Sequence, residues 1–215
     1  GRSFRYAKAS AAAIAAGNIV SQDQSTTSLV ETDNIIIAAA GRFSLAIGSL
    51  ALQVTLASVV KDQFAGAMFQ ITDDAGEGHQ YRIKSNSATS FTTTDKVDID
   101  FYDPLIVAVT TTSDIAIVGG LWNGVMAAVA ATDTIVSGVA PIAITASYYF
   151  WLQTAGIAVV LADGTITLGD KLVVSDGVAG AVQTQDAYPE AAIGSACYAP
   201  DDTGHVGVLL YGITA

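Results

Sequence analysis

The sequence predicts an all-β protein, built as a β-sandwich or as small β-barrel modules with an extended N-terminal arm. Three observations favour this class. Apolar and polar residues alternate in stretches such as Leu52–Leu56 and Lys96–Phe101, as in strands with one solvent-facing side. Asp-Gly and Gly-Asp pairs recur at short intervals in the second half of the chain, and such pairs between apolar runs indicate hairpins. Thr, Val and Ile, which suit pleated surfaces, are abundant.

The elements divide the chain into three parts. Residues 1–22 are predicted to form the N-terminal arm, residues 23–145 a β-rich domain, and residues 146–215 a compact C-terminal β module. The second boundary depends on Pro141 and on the higher density of turn residues beyond it. No internal repeat of the length found in solenoids or propellers is present.

Three stretches depart from the strand pattern. Ser10–Ala16 and Val125–Ala131 are rich in alanine and are possible short helices, although neither has a convincing cap. Thr134–Ala162 carries no charge, but glycine, proline and polar residues interrupt it. Because a membrane helix needs a longer unbroken apolar run, we expect buried strands there and no contact with a membrane.

Composition excludes several classes of protein. The chain has 215 residues, of which 51% are hydrophobic and 13% charged, the reverse of a disordered chain. Its net charge of −11 does not suit a protein that binds nucleic acid by neutralising phosphates. The single Cys197 excludes an internal disulfide framework, and His79 and His205 leave little material for a zinc site. A chain this apolar is expected to use its surface for contact, which predicts a homo-oligomer or a lattice component.

The first eight residues combine cations with aromatic rings. They contain three of the nine basic residues, Arg2, Arg5 and Lys8, with Phe4 and Tyr6 between them. No acidic residue lies near them in the sequence. Such a segment on an acidic body is suited to docking on an acidic protein surface, including that of a second copy.

Four consecutive aromatic residues, Tyr148, Tyr149, Phe150 and Trp151, form a second unusual segment. On a strand, two of them would point to each face. One pair can enter the core, and the other must meet a second layer, a neighbouring subunit or a sugar. We therefore predict that these four residues and the five named in the N-terminal segment are interface residues.

Acidic and nucleophilic residues are the candidates for chemistry in this chain. Asp98 and Asp100 would share one strand face and could hold Ca²⁺ or act as an acid and base pair, but a solvated strand face is favoured. The segment Asp73–His79 could bind a cation, yet it lacks the spacing of a twelve-residue calcium loop and favours a hairpin. Cys197 is expected to be an inert thiol in a buried strand. No nucleophile elbow or phosphate loop is present, so we predict no catalytic residue, no metal site and no cofactor.

Three segments resemble a known family. These are Phe4–Ala9 with Ala15–Gly17, the stretch Tyr149–Val182, and the closing pattern Ile193–Leu210. They are similar to small structural proteins of tailed bacteriophages, and in particular to capsid decoration, or cement, proteins. The resemblance implies a non-enzymatic protein on the outer capsid surface of the virion, which bridges neighbouring capsid subunits. It also implies the major capsid protein and the chain itself as partners, with a trimer as the expected oligomer.

Two alternatives stay open. The chain could be another virion component, such as a head-fibre, tail-tube or adhesion module. An adhesion module would expose some of the aromatic residues in Tyr148–Trp151 in a groove able to stack on sugar rings. The less favoured alternative is a carbohydrate-active hydrolase that uses Asp98 and Asp100, or a site with His79 and Cys197. The carboxylates of such an enzyme would have to face each other across a cleft.

Overall fold

The computed structural model describes residues 1–22, 30–38, 43–90, 95–129, 135–186, 190–199 and 204–212. These residues form strands and no helix, which confirms the predicted all-β class. In chain order the strands are β1 (Ser3–Ala9), β2 (Ile19–Gln22), β3 (Val30–Ile37), β4 (Ala51–Thr55), β5 (Met68–Asp73), β6 (Gln80–Asn86), β7 (Lys96–Phe101), β8 (Asp114–Val118), β9 (Asn123–Ala127), β10 (Val136–Val139), β11 (Tyr149–Leu161), β12 (Lys171–Val174), β13 (Val182–Thr184), β14 (Gly194–Tyr198) and β15 (His205–Leu210).

The chain forms two compact units. Residues 1–23 and 121–215 make up one, which we call the split unit, and residues 24–120 make up the other, which we call the inserted unit. The predicted division placed a boundary near residue 145 and separated the N-terminal segment from the C-terminal module. The structure differs because pairing between distant strands, which local patterns do not reveal, joins the two ends of the chain.

Residues 1–22 do not form a separate arm. β1 pairs antiparallel with β11, so that Tyr6 lies opposite Trp151 and Lys8 opposite Tyr149, and it also pairs with β9. β2 is buried and lies between β9 and β10. These pairings satisfy backbone groups that a free arm would leave to water. The N-terminal segment is therefore an integral part of the split unit.

The split unit consists of two rings of strands that share β11. The pairings β1-β9-β2-β10-β11, together with that of β11 with β1, close the first ring around a small apolar core. Strands β11-β15-β14-β12-β13 form the second ring, which has its own core. A bridge between Ala162 and Val182 connects β13 back to the end of β11. Ring closure pairs strand edges that would otherwise be open to other chains.

Two connections within the first ring repeat the same backbone course. One joins β1 to β2 and the other joins β10 to β11. Ile14 in the first and Ile144 in the second exchange backbone hydrogen bonds of 3.0 and 2.8 Å. Gly17 and Ser147 occupy matching positions, and both have a positive φ, 80° and 64° respectively. The split unit thus contains an internal two-fold repetition, which is not predicted from the sequence.

Neither alanine-rich stretch forms a helix where the structure describes it. Ser10–Ala16 lies in the connection from β1 to β2, and the first part of Val125–Ala131 belongs to β9. The last residues of the second stretch lie outside the described residues. The helix preference of alanine is weak, and strand pairing overrides it here. Among the described residues, none belongs to a helix that could cross a bilayer.

The inserted unit is a closed barrel of strands in the order β3-β4-β7-β6-β5-β8. Its interior is filled by apolar side chains. In β7, Val97, Ile99 and Phe101 are buried and the residues between them are half-buried, which confirms the predicted alternation. The first and last strands pair, with Val30 opposite Val118. The chain therefore enters and leaves this barrel at neighbouring strands.

Candidate functional site

Exposed aromatic rings lie side by side on β1 and β11. Along β11, Phe150 and Leu152 are buried in the first ring, whereas Tyr149 and Trp151 are 59% and 61% exposed. On β1, Tyr6 lies opposite Trp151 and is 59% exposed. The alternation of both strands thus places three large rings on the outer side of the first ring.

These rings are packed against one another. Tyr6 stacks on Tyr149 with ring centroids 5.4 Å apart and planes within 6°. Tyr6 also lies 5.3 Å from Trp151 in a tilted arrangement. Offset and tilted aromatic contacts are favourable beyond the area that they bury. The three rings therefore form an ordered apolar surface that is open to solvent.

The three cations of the N-terminal segment are held by aromatic rings. The distances from cation to ring centroid are 5.0 Å for Arg2 over Phe4, 5.1 Å for Arg5 over Trp122 and 5.5 Å for Lys8 over Tyr149. Within the described residues, their partners are these rings and, for Arg2, one amide, with no carboxylate among them. Cation–π contacts orient a charge without neutralising it. The surface therefore remains positively charged on an acidic chain.

Arg2 is fixed by a buried glutamine. Its Nε and Nη2 donate to Gln153 Oε1 at 3.1 and 2.7 Å. Gln153 is 1% exposed, and its Nε2 donates to the carbonyl of Ile157 at 2.9 Å. Arg2 and Gln153 line a groove of about 440 Å³ together with Val159 and His205. The guanidinium is thus held at the rim of a partly apolar groove.

An exposed apolar strip continues this surface along the second half of β11. Ile157 and Val159 of β11 and Leu209 of β15 are exposed, and Ile157 lies directly opposite Leu209. We refer to the following residues as the β1/β11 surface: Arg2, Phe4, Arg5, Tyr6, Lys8, Tyr149 and Trp151.

Strand pairing brings the two predicted aromatic segments together. Seven of the nine predicted interface residues lie in the β1/β11 surface, and Tyr148 is exposed beside it. The prediction that two of the four consecutive aromatics point to each face was wrong, since only Phe150 is buried. The reason is that β11 begins at Tyr149, after Ser147 with its positive φ, so Tyr148 is outside the alternation.

Sequence reasoning missed Trp122 and Gln153, which hold two of the cations. Each is placed by the pairing of β1 with a distant strand, β9 or β11. No local pattern around either residue carries that information.

The paired carboxylates of β7 are held by neighbouring strands. Gln53 Nε2 donates to Asp98 Oδ1 at 2.7 Å, and Ser85 Oγ donates to Asp100 Oδ2 at 2.7 Å. Both carboxylates are half-buried. No group of three or more potential metal ligands occurs within the ranges that the structure describes. Both carboxylates therefore accept hydrogen bonds that link neighbouring strands on the surface of the barrel.

The segment Asp73–His79 forms the loop between β5 and β6, which confirms the expected hairpin. Asp74 accepts hydrogen bonds from the hydroxyls of Thr110 and Thr112. His79 Nδ1 lies 3.0 Å from the carbonyl oxygen of Gly76. The loop is therefore ordered by contacts with its own unit.

Cys197 lies in β14, as the sequence predicts, but it is exposed rather than buried. The pairing of β14 with β15 shifts register between Ala196 and Tyr198. This irregularity places Cys197 and Tyr198 on the outer side, while Ala196 faces the core. The expectation of a buried thiol was wrong because a single bulge changes which residues face inward.

Comparison with protein-family models, with curated proteins and with solved structures finds no match for this chain. The functional interpretation therefore depends on the geometry and charge of its own residues.

Proposed function

We propose that this protein is a viral structural protein that decorates the outer surface of a phage capsid and stabilises it by bridging neighbouring subunits. The observation that carries the proposal is the β1/β11 surface, where exposed packed rings accompany three cations without a carboxylate partner among the described residues. Aromatic residues and arginine are enriched where proteins bind one another. The resemblance of the chain to phage decoration proteins supports the same role.

Contact with the shell would use side-chain surfaces. An added strand needs an unpaired strand edge. One edge of β1 is paired with β11, the other is paired with β9 at Lys8 and Ala9, and the six strands of the inserted unit close on themselves. The N-terminal segment is part of a sheet and offers a neighbour a face with protruding side chains.

A protein that bridges two neighbours needs a second contact surface, and the inserted unit offers one. Two loops meet at one end of the barrel, where the amide of Gly48 donates to the carbonyl of Leu105 at 2.8 Å. We call the exposed apolar residues there the barrel-end surface: Ile47, Leu50, Tyr102 and Ile106.

Sugar binding by an adhesion module is a second candidate, favoured by the exposure of Tyr148, Tyr149 and Trp151. Sugar-binding aromatics stack on the ring of the ligand, and grooves help to hold it. The groove beside the β1/β11 surface is lined by Arg2, Gln153 and their neighbours and by none of these three rings. Protein docking is therefore the preferred reading.

The test is binding to capsids of the phage that encodes the chain. Purified particles should contain the protein, and stripped particles should bind it again from solution. The variant Tyr6→Ser with Trp151→Ser should bind at least about tenfold more weakly, because it removes two large exposed rings of the kind that dominate interface energetics. The variant Val60→Ser, which removes an exposed side chain outside the surfaces named here, should bind like the unaltered protein. Absence of the protein from purified particles, or equal binding by all three proteins, would contradict the proposal.

A further inference from the structure

The charges of the split unit are separated between its two rings. Three basic residues lie in the first ring: Arg5 and Lys8 on β1, and Arg2 directly before it. The acidic residues of this unit that the structure describes all lie in the connections around β12 and β13 of the second ring: Asp163, Asp170, Asp176, Asp186 and Glu190. The second ring has one basic residue in the described range, Lys171.

The acidic connections also expose apolar side chains. Leu168 precedes β12 and Val178 follows it, and both are exposed. The carboxylate of Asp170 accepts a hydrogen bond of 2.7 Å from the amide of Thr167, which orders the first turn. The amide of Val178 donates to Ser175 Oγ at 2.9 Å in the second. The second ring thus presents ordered apolar side chains among carboxylates. This surface is complementary to the β1/β11 surface, where aromatic side chains lie among cations.

We propose that the β1/β11 surface of one copy docks on the acidic second ring of another copy, so that the protein associates head to tail. The inference rests on the proposed function, with the barrel-end surface binding the shell and the β1/β11 surface linking neighbouring copies on it. Opposite charges on the two rings favour this approach over others. In a symmetric dimer, the β1/β11 surfaces of two copies would face each other. The cations of both copies would then lie close together, and no carboxylate of the described residues would lie between them.

A head-to-tail contact uses two different surfaces of each copy. It therefore closes into a ring when the rotation between copies allows it, and otherwise continues as a filament. A chain with a net charge of −11 also repels its own copies at long range. Local complementarity between the rings offsets that repulsion, and salt weakens both effects by screening exposed charges.

The test uses charge-reversed variants of the full chain and measures association by sedimentation. The first-ring variant carries Arg5→Glu and Lys8→Glu, and the second-ring variant carries Asp176→Lys and Asp186→Lys. Arg2 is left in place because it holds Gln153. The matched control carries Lys61→Glu and Lys84→Glu, two exposed residues of the inserted unit, and has the same net charge as the first-ring variant.

The unaltered protein and the control should associate at low salt, and each reversed variant alone should be at least about tenfold weaker, because like charges then face each other. Mixing the two reversed variants should restore association, since each supplies the charge that the other lacks. Circular dichroism spectra like that of the unaltered protein would show that the variants are folded.

A monomeric unaltered protein at both low and high salt, or a mixture that fails to restore association, would overturn the inference. Measurements of binding to the capsid distinguish failure of this inference from failure of the proposed function. If the first-ring variant alone loses binding to the capsid and the second-ring variant keeps it, an acidic shell covers the β1/β11 surface instead of a second copy. If the variants associate as expected but the protein does not bind particles, the inference stands and the proposed function fails.

Discussion

Gly180 packs against Asn18 at the end of the connection from β1 to β2. Asn18 Oδ1 accepts a hydrogen bond of 2.9 Å from the amide of Ala15, and a Cβ added to Gly180 would lie 2.6 Å from Asn18 Cγ. We expect Gly180→Ala to lower the free energy of unfolding by roughly 2–4 kcal/mol, because Asn18 is buried and must move. Chemical denaturation of the purified protein measures this.

Gly164 provides the matched control. Its φ of +79° is close to the +76° of Gly180, but no atom lies within 4 Å of the Cβ that alanine would add. Gly164→Ala should therefore cost only the backbone term, about 1–2 kcal/mol. Equal losses for the two variants would show that the contact with Asn18 contributes nothing.

Asp98 and Asp100 contribute polar contacts to the barrel surface. Each accepts a hydrogen bond from a neutral side chain, Gln53 or Ser85, and asparagine keeps an accepting oxygen in the same place. Changing both to asparagine should alter the free energy of unfolding by no more than about 1 kcal/mol. Thermal unfolding with and without calcium checks this. A large loss of stability in the variant, combined with calcium stabilisation of the unaltered protein only, would instead indicate a metal site.

At the scale of elements, β1 contributes to stability by closing the first ring. It closes the first ring by pairing with β11 and β9, and Ala7 and Ala9 lie in the core of that ring. Deleting residues 1–8 should therefore lower the melting temperature of the split unit markedly and expose β11 to aggregation, because an unpaired edge is left. Calorimetry would measure the change.

The variant Tyr6→Thr is the control for this deletion. It removes an exposed ring but keeps the backbone pairing and a residue with good strand propensity. We expect its melting temperature to stay close to that of the unaltered protein. An equally stable deletion variant would show that residues 1–8 behave as a detachable arm.

In the whole molecule, the inserted unit interrupts a continuous pair of strands. β2 and β9 pair with each other, with Gln22 opposite Val125, and residues 24–120 lie between them in the chain. The inserted barrel also closes on its own first and last strands. In the split unit the chain breaks between two paired strands, β2 and β9. In the inserted unit the first and last strands, β3 and β8, are also paired.

Removing residues 24–120 and joining the ends with a short glycine-containing turn should leave the split unit folded, because β2 and β9 then form a hairpin. The shortened protein should keep a cooperative thermal transition and the far-ultraviolet spectrum of a β protein. A second variant, in which a neutral linker of equal length replaces residues 24–120, serves as a comparison. The entropic cost of closing a loop grows only slowly with its length, so this variant should also fold. A shortened protein without a cooperative transition would mean that the split unit requires the inserted barrel.

Residues 73–79 and β7 show what could be read from the sequence. Alternation in β7 and the turn residues before His79 are local properties, and the structure confirms both. The predicted interface residues were also recognisable by type, since cations and rings without nearby acids are visible in the chain itself.

How those residues are combined depends on the tertiary fold. Local patterns in the chain suffice for the all-β class, the hairpins and the chemical character of the N-terminal and aromatic segments. The pairing of β1 with β11, the division into a split and an inserted unit, and the outward position of Cys197 were decided in three dimensions. The physical reason is that alternation records which side of a strand faces the core, whereas backbone hydrogen bonds are alike for every strand. A partner far away in the chain is selected by the fit of whole rings and their cores.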